Sequence, residues 1–372
     1  MRRSKMVEGM SPYDPKYIPA KVLLSANENP DDVPAKVRKQ ILERISEVGF
    51  NRYPAPAADK LRDAISENLP KLVLPTLEDH VRDSIGFPEF GRDNIVLGNG
   101  GDELLFNTFM LFGGPGNKVL LVPPSFSVYD IDAGLTSTEV VNVPRNPDFS
   151  IDEDAVIARA SKEDVNLVVI TSPNNPTGDC ADVQFVRKLL ESTDAIVLLD
   201  EAYAEFSERT CIPLIAEYPN LCILRTFSKA YSLAGVRLGY IVANPEVISS
   251  YLMVRQPYSV DAVSQVIGQT VVENCLEYRN VVRSIIVRRE ELYSKLDCIN
   301  GVEVFPSKSN FMTVRVKGAG KVWEAMAYED SVLVRDFSRQ RYLENCLRIT
   351  VGTEEENEKM LNSLASNIVR GM

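Results

Sequence analysis

The chain has 372 residues, 45% hydrophobic and 25% charged, enough for a large core and roughly two to three domains at about 150 residues each. Its 52 acidic residues outnumber the 41 basic ones, a net charge of −11 that argues against nucleic acid as a partner. The single histidine, His80, has no second histidine to complete a zinc or iron site, so no metal is expected and a Ser-His-Asp triad is disfavoured.

Prolines crowd the first segment (Pro12, Pro15, Pro19, Pro30, Pro34), which suits an extended arm that leans on other elements. Residues 1–47 are read as this arm plus part of a smaller domain, 48–255 as a large domain and 256–372 as a small C-terminal domain. From about residue 95, apolar runs alternate with helical stretches: 94–98, 118–122, 167–170, 195–199 and 221–224. They are continuous rather than alternating, as expected of central strands covered on both faces, and predict a mainly parallel α/β sheet. Past residue 255 a long helical region reaches about Leu296. Strand-like pieces follow at 302–305, 310–316, 332–335 and 347–350, then a helix opened by a capping box from Thr353 to Glu356. This reads as a smaller α+β domain.

The six cysteines are scattered without a Cys-x-x-Cys pair, and the basic start is followed by no long apolar run. Reduced thiols, no signal peptide, no membrane span and a cytoplasmic location are expected.

In a parallel sheet ligands sit beyond the carboxyl ends of the strands, so chemistry is sought just after each apolar run. Four runs end in polar clusters, at 98–103, 171–178, 200–203 and 225–229. Gly98, Gly100 and Gly101 before Asp102 describe either a helix N-terminus that cradles a phosphate or a plain acid-capped turn. Ser228 and Arg237 are further phosphate candidates. Lys229, between them, is either a solvated loop residue or a buried amine whose charge is removed by conversion to an imine. Burial beside Arg237 would lower its pKa from about 10.4. Asp200 follows an all-apolar strand and needs a cationic partner, for which a protonated pyridine nitrogen serves. Tyr203 and Asn175 supply hydrogen bonds of the kind a phenolate oxygen needs. Together these groups describe a pyridoxal 5'-phosphate site.

The runs Ser172-Pro173-Asn174-Asn175-Pro176-Thr177-Gly178, Asp200-Glu201-Ala202-Tyr203-Ala204-Glu205-Phe206, and Ser228-Lys229 followed by Gly235-Val236-Arg237-Leu238-Gly239-Tyr240 resemble fold-type I pyridoxal phosphate aminotransferases in family order. Ser25-Ala26-Asn27-Glu28-Asn29-Pro30, Asn51-Arg52-Tyr53-Pro54, Gly98-Asn99-Gly100-Gly101-Asp102-Glu103 and Gln256-Pro257-Tyr258 narrow the resemblance to histidinol-phosphate aminotransferases. The resemblance implies a large domain with a mainly parallel sheet, a smaller α+β domain, and exchange of an amino group between histidinol phosphate and 2-oxoglutarate. Aromatic amino acid aminotransferases and threonine-phosphate decarboxylases are the alternatives within the fold.

It also implies roles that spacing alone does not assign. Phe126 matches an aromatic residue that stacks on the cofactor ring, although the bare sequence permits an ordinary core Phe. Tyr53 matches a tyrosine that reaches the cofactor phosphate of the neighbouring subunit, which makes a homodimer part of the reading. Arg348 matches the substrate carboxylate anchor, and an arginine on a strand can present a planar fork to an anion. Arg335 is the second substrate candidate, or else an ion pair with Asp336. Two departures fall near the substrate side: Asp31-Asp32-Val33-Pro34 stand where the family often has Gly-Pro-Ser-Pro, and Lys16 where glycine is common.

Overall fold

The computed structural model describes residues 18–371 together with Val7; Pro12, Pro15 and Lys16 lie outside the described residues. The strands are β1 (Val22–Leu24), β2 (Ile95–Asn99), β3 (Lys118–Leu121), β4 (Glu139–Asn142), β5 (Leu167–Thr171), β6 (Ile196–Asp200), β7 (Leu221–Thr226), β8 (Leu238–Ala243), β9 (Val302–Val304), β10 (Phe311–Val316), β11 (Val332–Asp336) and β12 (Cys346–Thr350). Seven form a sheet in the order β2-β8-β7-β6-β5-β3-β4, and five form a second in the order β1-β11-β12-β10-β9.

The continuous apolar runs behave as expected, because every residue of β5, β7 and β8 is buried. Alternate residues serve the two faces: Val168 and Ile170 join one core cluster, Leu167 and Val169 the other. The second face is covered by the helix Gly100–Phe112 through Leu104, Leu105 and Phe109. β4 through β7 pair in parallel, and β8 runs antiparallel to both β7 and β2. The large sheet is thus mainly parallel with one reversed strand.

This arrangement decides where chemistry can occur. Thr171 lies beside Asp200 and Asp200 beside Leu224, so the carboxyl ends of β5, β6 and β7 share one edge. Because Asn99 at the end of β2 pairs with Leu238 at the start of β8, the glycine turn after β2 arrives at that edge too. All four polar clusters converge there.

In the smaller sheet the early strand β1 pairs in parallel with β11, while β9 to β12 are antiparallel. The chain leaving β1 crosses to the larger sheet's edge, where Asn29 Nδ2 donates to the carbonyls of Lys229 and Ala230 at 3.2 and 3.3 Å. Asp31, one of the departures, is paired with Arg288 at 2.5 Å and accepts Ser232 Oγ through its carbonyl at 2.8 Å. An aspartate here therefore clamps the crossing segment to the helix Arg279–Asp297. The capping box forms, with Glu356 N donating to Thr353 Oγ1 at 3.2 Å and Thr353 N to Glu356 Oε2 at 2.9 Å. All six cysteines are free, and no helix among the described residues is long and apolar enough to cross a membrane.

Candidate active site

A cavity of about 470 Å³ opens at the shared edge, between the carboxyl ends of the large sheet and the strands β11 and β12. Its lining includes Gly101, Asp102, Phe126, Asn175, Asp200, Tyr203, Ser228, Lys229, Arg237, Arg335 and Arg348, so most of the residues anticipated from sequence meet in one place.

At one end lie groups suited to a phosphate. The helix Gly100–Phe112 starts here, and its first backbone N–H groups have no partner within the helix. Gly100 adopts φ +78°, and a Cβ there would sit 2.5 Å from Arg237 Nη2; Gly100 thus stands behind the arginine rather than on the cavity wall. A Cβ on Gly239 would in turn press within 2.9 Å of the Gly100–Gly101 backbone. Gly239 thus lets strand and turn backbones pack together, while at Gly100 it is the left-handed backbone that favours glycine. Arg237 donates to Asp102 Oδ2 at 2.8 Å, and Ser228 Oγ is held by Thr226 Oγ1 at 3.0 Å.

At the centre Asp200 is 4% exposed. It accepts Tyr129 Oη at 2.6 Å and the backbone N–H of Ala202 at 3.0 Å. Burial pushes its carboxyl up to about 6, against the pull of those two bonds. Tyr129 also meets Thr171 Oγ1 at 2.8 Å and packs edge-on against Phe126. Tyr129 was not singled out in the sequence; it lies in the first turn of the helix Val128–Thr136, and its tie to Asp200 is long-range, so no local signal marks it. Lys229 Nζ, part-buried, donates to Ala26 O at 3.0 Å and lies 5.9 Å from the Tyr203 ring. Burial, then Arg348 and Arg237, draw its pKa down to about 8, with Glu28 and Asp102 opposing. The amine is therefore available near neutral pH.

At the far end, Arg348 Nη1 donates to Asn175 Oδ1 at 2.6 Å and Nη2 to Ser25 O at 2.6 Å. Its guanidinium lies over Phe311 and Phe337, 5.2 and 5.7 Å from their centroids. Arg335 is directly opposite Arg348 in the β11–β12 register and also lies against Phe337, at 5.9 Å. Both guanidinium groups belong to residues that line the cavity.

Tyr53 is not brought into this cavity. It is 81% exposed and stacks on Tyr258 at 4.6 Å.

These residues fit pyridoxal phosphate on their own chemistry: a helix start, a hydroxyl and an arginine for the phosphate, a buried carboxylate for a protonated ring nitrogen, and a depressed lysine for the aldehyde. Fold and site together define a fold-type I pyridoxal phosphate-dependent transferase. The chain belongs to the aminotransferase class I and II family, whose description matches residues 19–364. It is 38% identical to a histidinol-phosphate aminotransferase of Chlorobaculum parvum, over 93% of this chain and 92% of that protein. It is also 38% identical to histidinol-phosphate aminotransferase 1 of Carboxydothermus hydrogenoformans, over 95% of each chain. The crystal structure of histidinol-phosphate aminotransferase from Sinorhizobium meliloti in complex with pyridoxal-5'-phosphate superposes with a TM-score of 0.86 at 21% identity, covering 100% of this chain and 98% of that one. L-threonine-O-3-phosphate decarboxylase from Porphyromonas gingivalis shares the fold with a TM-score of 0.76 at 24% identity, over 93% of this chain and 98% of that one.

Proposed function

We propose that this protein exchanges an amino group between L-histidinol phosphate with imidazole acetol phosphate and glutamate with 2-oxoglutarate, using pyridoxal phosphate. The observation that carries the substrate reading is the facing pair Arg335 and Arg348, two cations in register at one end of the cavity. Relatives at 38% identity that bear this enzyme's name support it.

In this reading Ser228, Arg237 and the helix start at Gly101 and Asp102 would hold the cofactor phosphate, with Gly100 behind them shaping the turn, and Asp200 the ring nitrogen. Tyr203 and Asn175 would hold the ring oxygen, Phe126 the ring face and Lys229 the aldehyde carbon. When bound, pyridoxal phosphate supplies an aldehyde that takes up the amino group and a ring that accepts electrons from the substrate Cα. The chain's own residues then have distinct tasks. Lys229 Nζ, poised near 8, takes a proton from Cα and returns one on the other side of the exchange. Asp200, with Tyr129 and the Ala202 N–H fixing both oxygens, keeps an anion where a ring proton must be retained. Arg348, stacked between aromatic faces and steadied by Asn175, fixes the substrate anion and thereby the Cα.

A panel of amino donors with and without a phosphate tests the substrate assignment. Losing one charge-assisted bond to an anion costs about 1.5–3 kcal/mol, so Arg335→Ala should lower kcat/KM for histidinol phosphate by roughly ten- to a hundred-fold. An uncharged aromatic donor should suffer less. Equal losses for both, or a wild-type preference for the aromatic donor, would favour an aromatic aminotransferase; release of carbon dioxide from threonine phosphate would favour the decarboxylase.

The exposed Tyr53 belongs to a second part of the proposal, a homodimer in which it reaches the partner subunit's cofactor phosphate. Mixing Lys229→Ala chains with Tyr53→Phe chains should then create one site with both native side chains. Turnover and cofactor affinity should rise above the sum of the parents; no gain on mixing refutes a shared site. A reducing cytoplasmic setting and domain boundaries near residues 47 and 255 complete the proposal, supported by the free cysteines and by the two separate sheets.

A further inference from the structure

Asn27 is 1% exposed and sits between the two halves of the site, at φ +55°. Non-glycine residues rarely occupy this region, and Asn and Asp are the side chains that tolerate it best. All its polar groups are engaged. Its backbone N–H donates to Thr350 Oγ1 at 3.0 Å, and its carbonyl accepts Asn310 Nδ2 at 3.0 Å. Its Oδ1 lies 3.3 Å from the Thr350 hydroxyl as acceptor, which leaves Nδ2 aimed at Tyr203 Oη, 3.0 Å away.

The direction of that last bond has a consequence. An amide nitrogen can only donate, whereas a tyrosine oxygen carries one proton and acceptor lone pairs. When Tyr203 accepts from Asn27, its own proton points elsewhere, and the remaining face of the hydroxyl is the cavity it lines. Thr350 stands two residues beyond Arg348 on β12, hence on the same face of the strand. We infer that Asn27 is a positioning residue that turns the Tyr203 hydroxyl proton toward the cofactor's ring oxygen and ties that proton to the strand carrying Arg348. The inference rests on the cofactor reading of Tyr203 given above.

Asn27→Asp tests it, because a carboxylate can only accept and would draw the Tyr203 proton to itself, while aspartate keeps the left-handed backbone. Two quantities are read on the holoenzyme besides activity: the pH midpoint of the cofactor's visible absorbance and its dissociation constant. A hydrogen bond to the ring oxygen lowers that midpoint, so its loss raises it. The new negative charge raises the midpoint by itself, and a cycle with Tyr203→Phe removes this contribution. With Tyr203 present, Asn27→Asp should raise the midpoint by about one unit more than it does in the Tyr203→Phe background. Equal shifts in both backgrounds overturn the inference. Should Asn27→Asp fail to fold, Asn27→Gly retains the backbone and deletes the amide. It should weaken cofactor binding about threefold or more with Tyr203 present and leave it unchanged with Tyr203→Phe; a loss common to both backgrounds again refutes it. If Tyr203→Phe alone moves neither quantity, the Tyr203 assignment falls and this inference with it, whereas the donor preference measured with Arg335→Ala stands or falls separately.

Discussion

Lys229→Ala is expected to lose transamination by at least about a thousandfold, the largest effect of any single substitution, because one atom is asked to act both as covalent attachment point and as proton carrier. The geometry leaves no substitute: the other cations lining the cavity, Arg237, Arg335 and Arg348, are guanidinium groups that do not give up a proton in this pH range. Burial and the neighbouring Arg348 set the Lys229 pKa near 8, so the wild-type amine can shed its proton at modest cost. The purified wild-type protein should carry the visible absorbance of a cofactor bound through an amine. The alanine variant should lose that band while still binding pyridoxal phosphate through Ser228, Arg237 and the helix start. Wild-type turnover in the variant would remove Lys229 from the mechanism, and an unchanged absorption band would remove it as the attachment point.

Much of this site was legible because the sheet is buried on both faces. Continuous apolar runs mark central strands, and a charged residue ending such a run must have a reason; Asp200 and Lys229 were found that way. The matching 38%-identical relatives agree with the aminotransferase reading that those residues carried. The reversed strand β8 was less visible, because Leu238–Ala243 begins inside the Gly-Val-Arg-Leu-Gly-Tyr run that was read as a cofactor motif. Tyr129 and Asn27 were not legible as actors. Each works through a hydrogen bond to a residue 71 or 176 positions away, and nothing local in the sequence encodes such a pairing. The apolar run in the sequence stops at Leu224, and Arg225 falls in the polar cluster that follows. In the structure β7 continues to Thr226, and Arg225 is completely buried. Its surroundings explain how an arginine can occupy a central strand.

Arg225 donates to Glu201 Oε2 at 2.7 Å and to Glu205 Oε1 at 2.9 Å, with all three side chains at most 2% exposed. Glu201 also accepts Thr210 Oγ1 and the Cys211 N–H, each at 2.7 Å, so this acid, next in chain to Asp200, is locked by three separate donors. Two acids against one guanidinium leave the cluster short of a cation, and burial raises the Glu205 carboxyl to about 6 despite Arg225. Removing the arginine strands both carboxylates in the core. Breaking a buried pair this way costs about 3–5 kcal/mol, a large share of the roughly 5–15 kcal/mol that holds a typical protein together. Arg225→Ala should therefore show that deficit in urea unfolding at pH 8. The deficit should narrow as the pH falls toward 5.5. Without the guanidinium the buried Glu205 carboxyl, already raised to about 6, loses the cation that pulls it down, so the native state binds more protons than the unfolded one as the pH falls and stability is recovered as that proton is taken up. Replacing Arg225, Glu201 and Glu205 together by apolar residues of similar volume should recover most of the loss at pH 8, because no buried charge is then left unpaired. A deficit below about 1 kcal/mol, or one that does not change with pH, would mean that the cluster is not held by charge.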